Sequence, residues 1–351
     1  MNLEMSENTG KKNKSLKKRK LGKTNISVSE LGLGCWALGG LTTINEIPIT
    51  YGNVNEKTAI NIISYALKLG ITTFDTADTY SLGNSEKILG KVLKKNRKNI
   101  QIFTKAGGVP SYGKPMPMEI DLSSEHLIAA LRRSLKRLDT TYVDLFQAHK
   151  APQSEKEFAG LEHAFNKIKS ENLAHYCGVS IGLDYKKGIE LINRGIVDTI
   201  QCYFSLIDPK PIEELLPLAK KKNIGIIIAE PLAQGFLSGK YKVGHIFPKN
   251  DIRSISFDKK ALKKKLQKSE QFQKKFPNDR LNILAIQYIL SRIEVSTCIP
   301  GSKSISQLKS NVNALDEKIK QEKLVEIKKN SRRVEKLKKL TVFECITFSK
   351  V

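Results

Sequence analysis

The five cysteines of this 351-residue chain, Cys35, Cys177, Cys202, Cys298 and Cys345, are scattered, with no C-x-x-C and no paired spacing. That spread excludes a disulfide framework and a cysteine-based metal site. Cysteines in apolar, strand-like runs suit buried thiols in a reducing compartment. No run of the sequence is apolar for long enough to span a bilayer. The opening "MNLEMSENTGKKNKSLKKRK" carries charge but lacks the apolar stretch of a secretory leader. These absences predict a cytoplasmic protein with no membrane partner and no metal. Acidic residues are few, 35 against 60 Lys and Arg, which leaves a formal charge of +25. Much of the excess lies in the N-terminal tail, in "DKKALKKKLQKSEQFQKK" and in "KKNSRRVEKLKKL". None of these is interleaved with aromatics, so solvated Lys-rich faces explain the charge and no nucleic-acid partner is expected.

What the sequence does have is alternation. Short apolar runs at 31–35, 71–75, 100–105, 142–149, 174–180, 197–204, 224–230 and 295–300 read as strands. Amphipathic stretches such as "EKTAINIISYALKLG" and "SSEHLIAALRRSLKRL" lie between them. Several open on Ser or Asp and close near Gly or Asn, as capped helices do. Parallel strands need helical crossovers, and eight such units are the count of a closed (β/α)8 barrel. A doubly wound sheet is the rival, but no strand is followed by G-x-G-x-x-G. Two longer connections break the rhythm, one containing "GGLTTINEIPITYGNVN" and one from Gln234 to about Asp279. On a barrel the second would lie on the C-terminal face, where active sites are built. It reads either as a clasp that orders over a ligand or as a permanently docked amphipathic helix.

The stretch "FDTADTYSLGNSEKILG" puts ionisable groups where a buried strand ends. Asp75 would close strand two, Lys105 strand three and His149 strand four, with Tyr80 in the loop after strand two. Each has a duller role alone: a turn cap, a packed ring, a strand-end charge, a structural histidine. Together at one barrel mouth they can polarise a carbonyl and deliver a proton to it. Tyrosine is a poor acid at neutral pH, so Lys105 is expected to lower its pKa while Asp75 orients the lysine.

These motifs resemble the aldo-keto reductase family from about Lys20 to Leu315. The matching stretches are "KLGKTNISVSELGLGCWALGG", the Tyr80 loop, "IFTKAGG", "SLKRLDTTYVDLFQAHK", "GVS", "QCYF", "EPLAQGFLSGKY" and "IPGSKSISQLKSNVNAL". The resemblance implies a catalytic tetrad of Asp75, Tyr80, Lys105 and His149, with Tyr80 the general acid. It implies a nicotinamide dinucleotide, NADPH first and NADH second, lying across the mouth, and a small carbonyl substrate. By the same resemblance Ser180 and Gln201 meet the carboxamide, and Cys35 and Trp36 flank the nicotinamide ribose. Pro231, Leu232, Ala233, Gln234 and Lys240 meet the pyrophosphate. Gly301, Lys303, Gln307 and Asn311 hold the adenosine end, where Lys303 supplies the cation a 2′-phosphate needs. The chain departs from the family's pattern at Ile181, Ala229 and Ser310, positions near the nicotinamide and the adenosine. The expected division is a disordered basic tail (1–19), the barrel (20–315) and a C-terminal helical extension (316–351). The family also contains potassium-channel β subunits, in which the tetrad histidine is typically replaced by asparagine. His149 favours a working enzyme over the alternative of a catalytically weak partner or regulatory protein.

Overall fold

The computed structural model describes residues 16–114, 117–316 and 319–336. Only 16–19 of the stretch read as a tail fall within them, and Cys345 lies outside. Eight parallel strands form the centre: β1 Leu33–Gly34, β2 Thr73–Asp75, β3 Gln101–Ala106, β4 Val143–Ala148, β5 Ala174–Gly182, β6 Thr199–Tyr203, β7 Gly225–Ala229 and β8 Thr297–Cys298. Each pairs with its neighbour in sequence. The ring closes through bridges from Leu31 to Cys298 and from Gly34 to Gly301, with Gly32 N donating to Cys298 O at 2.8 Å. This is the (β/α)8 barrel. The strands at the seam, β1 and β8, are two residues each, shorter than the apolar runs at 31–35 and 295–300.

The helices are α1 Glu56–Lys68, α2 Asn84–Leu93, α3 Ser124–Leu138, α4 Glu155–Ser170, α5 Tyr185–Arg194 and α6 Leu215–Lys221. They continue with α7 Arg253–Ser256, α8 Lys259–Lys275, α9 Leu281–Leu290, α10 Ile305–Val312 and α11 Gln321–Lys336. Starts are set by side-chain caps that satisfy otherwise orphaned backbone N–H groups. Asn55 caps α1, Ser123 caps α3 and Asp184 caps α5. Ser154 and Glu157 form a reciprocal capping box on α4. Among the described residues no helix is long and apolar enough to cross a membrane.

A hairpin of Lys18–Lys20 and Ser27–Ser29 closes the floor. Its Leu21, Ile26 and Val28 fill the lumen against Phe103, Leu145 and Ile227. Gly22 turns the chain at φ +56°, and a Cβ there would lie 2.2 Å from Gly225 N, so a side chain is excluded. Arg19 fixes the hairpin from outside, pairing with Glu30 at 3.0 Å and donating to the carbonyls of Leu290 and Val295.

The two long connections meet over the mouth: Tyr51 and Asp251 form an antiparallel bridge, and Ile252 N donates to Thr50 O at 2.9 Å. Within the second, α8 is capped by Asp258 and buries Leu266 and Phe272. Burial of such side chains contributes about 1.5–3 kcal/mol each. Ser269 Oγ donates to Phe236 O at 2.6 Å and Lys268 Nζ to Ile207 O at 3.2 Å. In this structure 259–275 is an amphipathic helix packed on the barrel. Beyond the barrel, Ile327 and Ser331 of α11 are buried, and Lys323 pairs with Asp279 at 2.7 Å.

Candidate active site

The loop from β2 to α2 carries Tyr80 and then turns sharply, with Ser81, Leu82 and Gly83 all at positive φ. Ser81 Oγ and Asn84 Nδ2 tie it to the carbonyls of Gly40 and Gly39, at 2.8 and 2.7 Å. Those anchors fix the ring of Tyr80 against its neighbours. Trp36 stacks on it, with centroids 5.8 Å apart, and His149 meets it edge-on at 5.6 Å.

Beneath the ring, Lys105 is fully buried, and its ammonium uses all three donors. It donates to Asp75 Oδ1 at 2.5 Å, to Thr76 O at 2.8 Å and to Tyr80 Oη at 3.3 Å. The other oxygen of Asp75 accepts from Gln201 Nε2 at 2.7 Å and Gln147 Nε2 at 3.5 Å. A buried ion pair is tolerable because these extra bonds satisfy its remaining valences. The four expected catalytic residues are thus brought together.

The expected effect on Tyr80 is corrected. Burial, followed by the carboxylates of Asp75 and Glu230, pushes its hydroxyl well above the ordinary tyrosine range. Lys105 touches the phenol, but its charge is already matched by Asp75, so it does not offset the desolvation. Tyr80 is therefore a firmly protonated donor. His149 is pushed well down by burial and by the charges of Lys105 and Lys150, which leaves a neutral imidazole. Its Nδ1 lies 3.3 Å from Thr79 Oγ1. When that hydroxyl donates, Nε2 keeps the proton and can itself donate.

A cavity of about 1270 Å³ opens over this group. Of the residues expected at the site, all but Lys105 and Ala233 line it. Lys105 lies behind Asp75 and Tyr80, while Ala233 is buried at φ 48° and can offer only backbone. Ser180 Oγ donates to Gln201 Oε1 at 3.2 Å, so both ends of that amide are engaged. The Cys35 thiol donates to Leu33 O and is pushed up by burial, which keeps it neutral. At the far wall Lys303 Nζ donates to Tyr51 O at 2.9 Å, and Gln307 Oε1 accepts from Lys303 N at 2.8 Å. Asn311 is buried between Ser302 and Asn282. A Cβ on the exposed Gly301 would meet nothing nearer than Gly34 O at 3.7 Å, so space remains beside its backbone. Two of the three departures are explained locally: Ile181 is buried, and Ser310 Oγ accepts from Arg280 and Asn282, each at 2.7 Å.

Sequence reading missed three groups. Gln147 bonds Asp75, Thr79 holds His149, and Glu230 faces the cavity from the end of β7. Glu230 Oε1 accepts from Gln234 Nε2 at 3.0 Å and Tyr51 Oη at 3.4 Å, and burial pushes its carboxyl up to about 7. Its signal was available: like Asp75, it is a carboxylate that closes an apolar run.

Residues 30–332 match the model of the Aldo/keto reductase family. The chain belongs to that family. It is 31% identical over 302 residues to an uncharacterized oxidoreductase, YqkF, of Bacillus subtilis, covering 85% of this chain and 91% of that one. It is 30% identical over 313 residues to the NADH-specific methylglyoxal reductase of Escherichia coli, covering 86% and 94%. The holo form of aldo-keto reductase AKR11C1 from Bacillus halodurans superposes with a TM-score of 0.72 at 30% identity, covering 94% of this chain and 98% of that one. This aldo-keto reductase is an oxidoreductase enzyme of a family that works with nicotinamide cofactors.

Proposed function

We propose that the protein reduces an aldehyde or ketone to the alcohol, with Tyr80 as general acid and Asp75, Lys105 and His149 as its supporting groups. One observation carries this: a phenol kept protonated by burial faces the cavity beside a neutral imidazole, with a lysine ammonium 3.3 Å behind it. A reduced nicotinamide dinucleotide, when bound, supplies the hydride. The substrate oxygen would accept hydrogen bonds from Tyr80 Oη and from His149 Nε2. As negative charge builds on that oxygen, the Tyr80 proton moves to it, and the ammonium of Lys105 stabilises the phenolate left behind. Asp75 and Gln201 hold Lys105 and the polar wall in place throughout.

The residues suit a dinucleotide. Gly301 leaves its backbone open, Lys240 is exposed at the rim, and Lys303 presents a cation on the far wall. We assign Ser180, Gln201, Cys35 and Trp36 to the nicotinamide end. Pro231, Leu232, Gln234 and Lys240, with the backbone of Ala233, serve the pyrophosphate. Gly301, Lys303, Gln307 and Asn311 serve the adenosine. Lys303 favours NADPH over NADH, although the related methylglyoxal reductase is NADH-specific. Residues 20–315 carry the activity, with 316–351 as an extension.

The test is Tyr80→Phe, which keeps the ring and deletes the proton. Turnover should fall by ~10²–10⁴-fold, while cofactor titration remains near wild type. Near-normal turnover would remove Tyr80 from this role.

A further inference from the structure

The wall beside His149 holds a charge that the reaction above does not use. Strand β4 ends at Ala148, and the bend that follows turns both His149 and Lys150 into the cavity. Lys150 is half-buried there, and its ammonium makes no hydrogen bond or ion pair with another described residue. Two carboxylates that line the cavity bond other groups and make no ion pair with Lys150. Asp184 accepts from Lys187 N and Gln153 Nε2, and Glu157 accepts from the backbone N–H groups of Gln153 and Ser154. The cavity lining also includes the apolar side chains of Ile120, Leu122 and Leu183. Burial pulls Lys150 down to about 8, and Asp184 opposes that pull. The group is desolvated enough for an ion pair to count, yet still charged at neutral pH.

We propose that Lys150 makes this site select carbonyl substrates that carry an anionic group, a carboxylate or a phosphate, a few atoms from the carbonyl. The proposal rests on the carbonyl-reduction reading above. The spacing follows from adjacency. His149 would hold the carbonyl oxygen, and consecutive Cα atoms are about 3.8 Å apart. Both side chains line the cavity, and the Lys150 charge lies near enough to act on the His149 imidazole. A short apolar stem would lie against Ile120 and Leu122, with the anion at Lys150. An uncommitted cation in a partly buried pocket costs free energy until an anion arrives, and a charge-assisted hydrogen bond offsets that cost.

Two matched pairs test it: 4-oxobutanoate against butanal for a carboxylate, and glyceraldehyde 3-phosphate against glyceraldehyde for a phosphate. In the wild type, kcat/KM should favour the anionic member of at least one pair by about tenfold or more, as expected for a charge-assisted contact. The favoured pair identifies the anion. Lys150→Met should erase the preference and Lys150→Arg should keep most of it. Calorimetric titration of 4-oxobutanoate and glyceraldehyde 3-phosphate into the three proteins provides a readout independent of turnover. Anion binding lost in Lys150→Met and kept in Lys150→Arg, without reduction of any aldehyde, would support Lys150 and sink the reductase reading. Reduction of both members of each pair at equal kcat/KM, or an unchanged ratio in Lys150→Met, would overturn the Lys150 assignment and leave the reductase reading standing.

Discussion

Along β3 and β4, the floor of the barrel and its reactive mouth are two residues apart. Phe103 pairs in register with Leu145, and Lys105 with Gln147. Side chains two apart on a strand share a face, so all four point into the lumen. The lower pair joins an apolar plug with Leu21, Ile26, Val28 and Ile227. The upper pair joins Asp75 and Gln201 in a connected polar layer. The comparison teaches what each layer requires. An apolar layer needs only shape and volume, and the N-terminal hairpin supplies both. A buried polar layer must satisfy its members together, because one missing partner strands a charge.

Removing one member from each layer should separate these requirements, and Lys105→Met carries the largest expected effect. It leaves Asp75 buried without its counter-ion, a loss of about 3–5 kcal/mol by the rule for broken buried pairs, and turnover should vanish with it. Denaturant unfolding and a turnover assay measure both. Phe103→Ala should cost a similar amount of stability, about 3–5 kcal/mol, yet leave turnover per folded molecule near wild type. A Phe103→Ala protein as inactive as Lys105→Met would show that the layers are not separable.

Moving outward to the rim, Lys303→Ala should weaken NADPH binding by about 1.5–3 kcal/mol and NADH binding far less. Equal losses would remove Lys303 from the 2′-phosphate role. The last effect shows only as a pH dependence and belongs to Glu230, which accepts from neutral donors where Asp75 has a cation. In the folded protein its carboxyl stays protonated up to about pH 7, while an ordinary glutamate releases its proton near 4.5. Between those values unfolding releases a proton, so stability falls as pH rises through the window. Glu230→Gln should flatten that fall in thermal melts, and parallel curves for the two proteins would contradict the assignment.

The barrel and the meeting of Asp75, Tyr80, Lys105 and His149 at one mouth were legible because both are written in local patterns. Apolar runs mark the strands, and Asp75, Lys105 and His149 stand where the runs end. The seam was less legible: β1 and β8 pair over two residues, while their apolar runs extend into closing bridges and core. The floor plug was not readable, since nothing in "KLGKTNISV" announces that its partners are Phe103, Leu145 and Ile227. The acidity of Tyr80 misled for a related reason. Proximity of a lysine could be inferred from strand order, but desolvation under Trp36 and neutralisation of Lys105 by Asp75 are properties of the packed site. Glu230 and Lys150 were missed for a simpler reason: Glu230 closes an apolar run that had no site role of its own, and Lys150 sits next to His149, which already had one.

The central claim is that a hydride reaches a carbonyl carbon while Tyr80 protonates its oxygen. It is tested most directly by following the hydride. Reduced cofactor carrying deuterium on the transferable C4 position would be incubated in ordinary water with glyceraldehyde or 4-oxobutanoate, and the alcohol examined by mass spectrometry. The account predicts one deuterium fixed on the former carbonyl carbon, appearing ~10²–10⁴-fold more slowly with Tyr80→Phe. Alcohol formed without the label, or label transferred equally fast by Tyr80→Phe, would contradict it.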